Sequence, residues 1–307
     1  MAKKIKLALI ADSNYAIPAA VTLRSAINHN RGKIGELYLF STCFNKEDLS
    51  ALESICKEDG IGFNLVSIDE SVLDPYDGLS AWSKYTFIKI LIPELLDIDD
   101  MLLYMDVDML VTGDLSGVYN IDMEGNALSA VPDLPVVRED NRRCGLPDGN
   151  NYINSGFMLM DMAKWKQAWK AGLFEKAIEH LKSMRPPFIN DQDVINTVFP
   201  GACQPLPLRY NVTNQSFGLH SLYCQEEYRK GWRESRKDPA VIHFTSSRRP
   251  WKPDVFHPYK REWFRTLDQT PFRKRIPYCR LTVASVQSWC ITEAGMVADW
   301  FRMFDRP

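Results

Sequence analysis

No run of apolar residues in this 307-residue chain is long enough to cross a bilayer, so the sequence carries no membrane-span signal. Organised cysteine is missing too. The seven cysteines are odd in number, contain no Cys-x-x-Cys pair and gather with no histidine, which argues against a zinc site and a disulfide framework. A strong excess of one charge is also absent: a formal net charge of −2 does not suit a protein that coats nucleic acid, and no nucleic-acid partner is expected. The amino terminus, Met-Ala-Lys-Lys-Ile-Lys-Leu-Ala-Leu-Ile-Ala-Asp, is basic, but its apolar stretch is shorter than a secretory leader needs and runs into a polar turn. It reads as a first strand. Free thiols without a leader imply a reducing compartment, so the expected location is the cytoplasm. The sequons at Asn211 and Asn214 are then expected to meet no glycosylating enzyme.

What is present suits a large folded core. With 45% hydrophobic and 25% charged residues, the chain can bury one large domain, or a domain plus an extension, and disorder is excluded as its main state. Strand patterns at 5–11, 36–41 and 62–68 alternate with helical patterns at about 16–30 and 46–59. This β-α-β-α rhythm predicts a mainly parallel sheet with helices on both faces and ligands at the strands' carboxyl ends. A helix is expected over about 84–96, strands over 101–105, 128–131 and 152–160, a polar loop over 134–150 able to act as a lid, and one helix over 163–183. In that helix Trp165, Trp169, Leu173, Ile178 and Leu181 fall on one face and read as core. Residues 246–280 hold ten Lys or Arg against three Asp or Glu, so the rest of the chain is acidic.

The strongest local signal is Leu-Leu-Tyr-Met-Asp106-Val-Asp108-Met-Leu-Val. Residues two apart in an extended segment share a face, and two ionised carboxylates that close need a shared cation or a proton. A divalent ion is the simplest partner, and oxygen ligands suit Mg2+ or Mn2+. Two aspartates in a strand-end turn would read the same. Elsewhere a structural reading stands beside the functional one: Asp12, Ser13 and Asn14 can cap a helix, and capping suffices for at least one of Asp191 and Asp193 but does not explain Gln192. Gly156 in Asn154-Ser-Gly156 can mark a bulge. His243, in the apolar Val241-Ile-His-Phe244, can be a hydrogen-bonded core residue, although Arg248, Arg249 and Lys252 just after it gather positive charge where a diphosphate would lie.

Taken in order, Ala11-Asp-Ser-Asn-Tyr15, Tyr104-Met-Asp-Val-Asp108, Asn154-Ser-Gly156, Asp191-Gln-Asp193 and His243-Phe-Thr-Ser-Ser-Arg-Arg-Pro-Trp251 resemble glycosyltransferase family 8. The likeness is greatest to the bacterial retaining α-galactosyl and α-glucosyltransferases of lipopolysaccharide synthesis, and it covers about residues 5–252. It implies an α/β GT-A fold, a UDP-sugar donor (UDP-glucose or UDP-galactose), Mn2+ with Mg2+ as the alternative, a glycan or glycolipid acceptor, and retention of anomeric configuration. Position by position, the resemblance makes Asp106, Asp108 and His243 metal ligands, puts Asp12, Asn14 and Tyr15 on the uridine and sets Val107 near the ribose. Arg249 stands where the family usually has a Lys on the diphosphate, and Ser246 replaces a Gly near the phosphates. Asn154, Gly156, Asp191 and Gln192 match sugar contacts, Asp133 a carboxylate at the donor–acceptor junction, and Lys89 a position commonly held by an Arg facing the donor sugar. Gln192, Asp191 and Asp133 are the candidates for catalytic roles.

The domain reading is a GT-A catalytic domain over 1–252 and a basic, amphipathic helical extension over 253–307. Residues 272–280 join basic and aromatic types, and Val286, Trp289, Cys290, Val297, Trp300, Phe301 and Phe304 share a helical face. This pattern suits peripheral contact with anionic lipid on the inner face of the cytoplasmic membrane, or docking on protein. Two rival functions share the main motif. A non-catalytic nucleotide-sugar or glycan-binding relative would keep it, and a phosphohydrolase of the haloacid dehalogenase type also places Asp-x-Asp after a strand. In the latter the motif sits near the amino terminus and continues with Gly-Thr, whereas here Met109-Leu110 follow.

Overall fold

The computed structural model describes residues 3–80, 83–133, 138–184, 189–217, 226–245, 249–253 and 255–277. The strands among them are β1 (Ile5–Ile10), β2 (Ile34–Ser41), β3 (Gly62–Ser67), β4 (Met101–Met105), β5 (Met109–Val111), β6 (Leu128–Pro132), β7 (Ile153–Asp161), β8 (Cys203–Pro205), β9 (Val212–Thr213) and β10 (Val241–His243). The chain divides into two compact units, each built from discontinuous segments. The first holds the described residues up to Asn14, Gly32–Asp106 and Leu115–Pro207; the second holds Tyr15–Arg31, Val107–Asp114 and the described residues from Leu208 onward.

The first unit contains a seven-stranded sheet in the order β3-β2-β1-β4-β7-β6-β8. Pairings β1–β2, β2–β3, β1–β4 and β6–β8 are parallel, while β7 runs antiparallel to both β4 and β6. Leu7, Ala8 and Leu9 are all buried although their side chains alternate, as expected of a strand covered on both faces. Helices Lys46–Glu58, Ile88–Leu95, Met162–Lys170, Leu173–Lys182 and Asp191–Val198 belong to this unit. The Lys46–Glu58 helix shows why they form: the Asn45 side chain accepts from Asp48 N at 2.8 Å at its start, and Leu52, Ile55 and Cys56 bury one stripe. This is the α/β, mostly parallel architecture expected from the alternating pattern.

Two local expectations change. The single helix over 163–183 is two, broken by Gly172, whose φ of 66° lies in the left-handed region where a residue without Cβ is at ease. Trp165 and Leu181 stay fully buried, but Leu173, read as core, starts the second helix and is exposed. The 134–150 segment is not wholly a loop either. Arg138–Arg143 forms a short helix, and Arg143 and Cys144 are buried.

The second unit holds a three-stranded sheet, β5-β10-β9, with β10 antiparallel to β5 and parallel to β9. Helix Ala16–His29 secures its first strand: the Thr22 hydroxyl lies 2.8 Å from the carbonyls of Val107 and Met109, and Ser25 Oγ accepts from Val111 N at 3.0 Å. Helix Lys260–Leu267 lies in the expected extension and buries Trp263, Phe264 and Leu267. The amphipathic 286–304 stretch lies outside the described residues. Among the described residues, no helix is long and apolar enough to cross a membrane.

Candidate active site

In the first unit the β4–β7 register does the positioning. Met105 pairs with Phe157, and Asp106 N continues the ladder by donating to Gly156 O at 2.8 Å, so Asp106 lies beside Asn154-Ser-Gly156. Lys89, on helix Ile88–Leu95 and only 5% exposed, sits among these groups. Its Nζ lies 2.9 Å from Asp191 Oδ2 and 3.1 Å from Asp106 Oδ1, donates to Ser155 Oγ at 3.3 Å, and stands 5.2 Å from the Tyr104 ring centre. Burial alone would lower the pKa of this ammonium, but the charges of Asp106 and Asp191 outweigh it and hold the pKa above the ordinary lysine range. Asp106 Oδ1 also accepts from the Tyr104 hydroxyl at 2.6 Å.

The helix that begins at Asp191 is fixed by a reciprocal cap. Asn190 Oδ1 accepts from Asp193 N at 2.8 Å, and Asp193 Oδ2 accepts from Asn190 N at 3.1 Å. Asp193 is held further by the Tyr152 hydroxyl at 2.6 Å and the Arg143 guanidinium at 3.4 Å, and burial, then the Asp193 charge, pushes the Tyr152 phenol well above its usual range. Capping therefore accounts for Asp193 and leaves Asp191 and Gln192 for other work. Gln192 Oε1 accepts from Ser155 N at 2.9 Å, and its Nε2 donates to Asp133 Oδ2 at 3.0 Å. Asn154 Nδ2 donates to the same Asp133 oxygen at 3.2 Å, and Asn154 Oδ1 accepts from Gly156 N. Lys89, Asp106, Asp133, Asn154, Gly156, Asp191 and Gln192 thus share one hydrogen-bond network. Asp12 and Asn14 form a local turn after β1, with Asp12 Oδ1 accepting from Asn14 N at 2.9 Å. Ser13–Tyr15 is a short 3-10 helix whose start this bond caps, so capping, as the sequence allowed, is a sufficient account of Asp12, while the α-helix from Ala16 has Tyr15 at its N-cap and no side-chain cap.

In the second unit, His243 faces Asp108, with Nε2 3.2 Å from Asp108 Oδ1. The other ring nitrogen, Nδ1, lies 2.9 Å from Asn211 Oδ1. An imidazole that donates there turns the lone pair of Nε2 toward a carboxylate oxygen, and two acceptors at that separation call for a cation or a proton between them. A nitrogen and a carboxylate oxygen suit a first-row divalent ion such as Mn2+, so this pair fits the metal that the sequence implies. The opposite oxygen, Asp108 Oδ2, lies 3.5 Å from Arg249 Nη2. Arg249 Nη1 donates to the Tyr15 hydroxyl at 2.6 Å, and the guanidinium stacks 5.5 Å from the Tyr15 ring and 5.6 Å from the Trp251 ring. Val107 is nearly buried, its carbonyl beside Thr22. Ser246 and Arg248 lie outside the described residues.

Sequence reasoning missed several of these groups. Asn211 drew notice only as a sequon, yet it is buried and bonded to His243. Tyr104 stands two residues before Asp106 in an extended segment, so the reading that paired the two aspartates also reaches it. Ser155 and Tyr152 carried no signal beyond their neighbours.

The sequence model of the family described as Glycosyl transferase family 8 matches residues 6–254. The chain is 25% identical to general stress protein A of Bacillus subtilis (strain 168), over 85% of this chain and 92% of that one. It is also 25% identical to the lipopolysaccharide 1,2-glucosyltransferase of Escherichia coli (strain K12), over 87% of this chain and 78% of that one. Among solved structures, the galactosyltransferase LgtC in complex with donor and acceptor sugar analogues aligns with a TM-score of 0.76 at 20% identity, covering 89% of this chain and 98% of LgtC; the likeness establishes the GT-A fold.

Proposed function

The chain belongs to glycosyl transferase family 8 and is a glycosyltransferase, and on that premise we propose that it moves a hexose, glucose or galactose, from a UDP-sugar to a hydroxyl of a glycan or glycolipid with retention of configuration. The observation that carries this reading is Asp108, which faces His243 on one oxygen and Arg249 on the other. Such a carboxylate suits a site for a divalent cation and a diphosphate together. Asp106, Asp108 and His243 are the residues that would hold the ion. When bound, it would supply Lewis-acid stabilisation of the charge that builds on the leaving diphosphate.

Arg249 would add charge-assisted hydrogen bonds to that diphosphate, with Ser246 beside the phosphates. Tyr15, Asp12 and Asn14 would hold the uridine, with Val107 near the ribose. Lys89, Asn154, Gly156, Asp191 and Gln192 would line the sugar subsite, with Asp133 toward the acceptor. An amide is a poor nucleophile, and the Gln192 oxygen already accepts from Ser155 N, which supports front-face attack rather than a covalent intermediate. In that reaction the anomeric carbon–oxygen bond to the diphosphate breaks, the acceptor oxygen bonds to the same face, and its proton passes to the departing phosphate oxygen.

We also propose that residues 1–252 form the catalytic domain in the cytoplasm and that the 253–307 extension touches the inner face of the membrane. Arg261, Arg265 and Lys274 line one open concavity with one acid, Asp268, and with Phe264, Ile276 and Pro277, a lining of net positive charge that supports contact with anionic lipid. The main test is UDP release from a panel of UDP-sugars, with Mn2+ or with EDTA, for the wild type and Asp106→Ala. Metal-dependent release from one sugar, absent in the variant, supports the reading; no release from any sugar with any glycan acceptor overturns it in favour of a binding protein.

A further inference from the structure

Lys260 opens the helix Lys260–Leu267 and is only 5% exposed. Its ammonium donates to three main-chain carbonyls, those of Lys252, Pro253 and Val255, each at 3.0 Å. Three donors meet three acceptors in one short segment. An ammonium taken out of water is costly unless its donors are used, so this arrangement ties the segment firmly to the helix.

The segment begins at Arg249. Lys252 N donates to Arg249 O at 3.0 Å, closing a turn whose last carbonyl is in Lys260's grip. Between them Trp251 lies 5.6 Å from the Arg249 guanidinium and 5.4 Å from the fully buried Trp263 ring. Trp263 follows Lys260 by three positions and so shares its face of the helix. One helix face therefore holds both the main chain of the turn and the indole on which Arg249 rests, while Arg249 reaches Asp108 and Tyr15.

We infer that Lys260 is a positioning residue for the donor diphosphate: with Trp263 it sets the turn that presents Arg249, and it contacts neither substrate nor metal. This rests on the reading of Arg249 as the diphosphate contact. A guanidinium held in advance loses little freedom on binding, so the effect of the device is to raise affinity for the diphosphate more than for the nucleoside.

The test is a double-mutant cycle on the full chain, with affinities for UDP and for uridine measured in Mn2+ buffer for wild type, Arg249→Met, Lys260→Met and the double variant. Arg249→Met and Lys260→Met should each weaken UDP about tenfold more than uridine, whose smaller loss comes through the Arg249–Tyr15 contact, and the double variant should bind UDP no more weakly than Arg249→Met alone. A Lys260→Met protein with wild-type UDP affinity, an equal loss for uridine, or losses that multiply in the double variant would overturn the inference alone. Unchanged UDP affinity in Arg249→Met would overturn the diphosphate reading and the inference with it. Should Lys260→Met not fold, Trp263→Phe takes its place in the cycle, with a loss about threefold greater for UDP than for uridine expected and the same outcomes deciding.

Discussion

Lys89 and Asp191 form an ion pair of 2.9 Å in which both side chains are less than a tenth exposed. Asp106 meets the same ammonium at 3.1 Å, so one lysine balances two carboxylates that come from distant parts of the sequence. Removing it strands buried charge. Lys89→Met is expected to lower stability by about 3–5 kcal/mol, and Lys89→Arg, which keeps the charge, by clearly less. Urea unfolding of the two variants compares them; equal losses would show that packing, not charge, matters at this position.

Asp106→Ala and Asp108→Ala should each abolish transfer, by at least about a hundredfold, because each removes charge from the proposed diphosphate and metal site. Gln192→Ala should keep measurable turnover if attack is from the front face. Steady-state rates and intact-protein mass spectrometry decide together, since a trapped glycosyl adduct on Asp191 or Asp133 would point to a double displacement.

The Tyr152 hydroxyl bonds an ionised partner, so Tyr152→Phe is expected to cost about 1.5–3 kcal/mol. It should also change the response to alkali. The Tyr152 phenol is held well above its usual range in the fold, so above about pH 10 the unfolded chain loses this proton first and stability falls as pH rises. Burial pushes Tyr38, Tyr76 and Tyr119 up to about 12, which adds to the same loss. Denaturation midpoints between pH 9 and 11, chosen to bracket that onset, should drop less steeply in Tyr152→Phe.

Thiol chemistry should separate two cysteines. Cys43 is exposed, whereas burial pushes the Cys203 thiol up to about 12. At pH 8 an alkylating reagent should modify Cys43 at least about tenfold faster. Peptide mapping after timed alkylation would detect the reverse order.

Much of this molecule was legible where a single period governs it. The alternation of apolar strands and helical stripes announces the seven-stranded sheet, whereas Asp106 and Asp108 do not lie on one extended face, because Met101–Met105 ends before Asp106 and Val107–Asp108 is a turn, the strand-end turn that the sequence also allowed. What escaped depends on positions distant in sequence. The ties of Lys89 to Asp191 and of His243 to Asn211 have no local pattern, because each is made by strand register and helix placement. The break in the helix over 163–183 was written in Gly172, but a lone glycine inside a helical pattern has no fixed meaning until its φ is known. Asn211 shows the same limit: its sequon is a surface signal, and the fold uses the side chain inside.

The pairing of β5 with β10 joins residues about 130 positions apart. A ribosome delivers Asp108 and the strand beside it long before it delivers the strand that ends in His243. While about 130 further residues are added, Met109–Val111 is an apolar edge with no strand mate, and the Asp108 carboxylate waits without the His243 imidazole. Completion of the Asp108–His243 pair is thus a late event in the life of each nascent chain. Truncations that stop short of residue 243 are expected to leave β5 unpaired and open to aggregation even though the seven-stranded sheet is already complete in sequence.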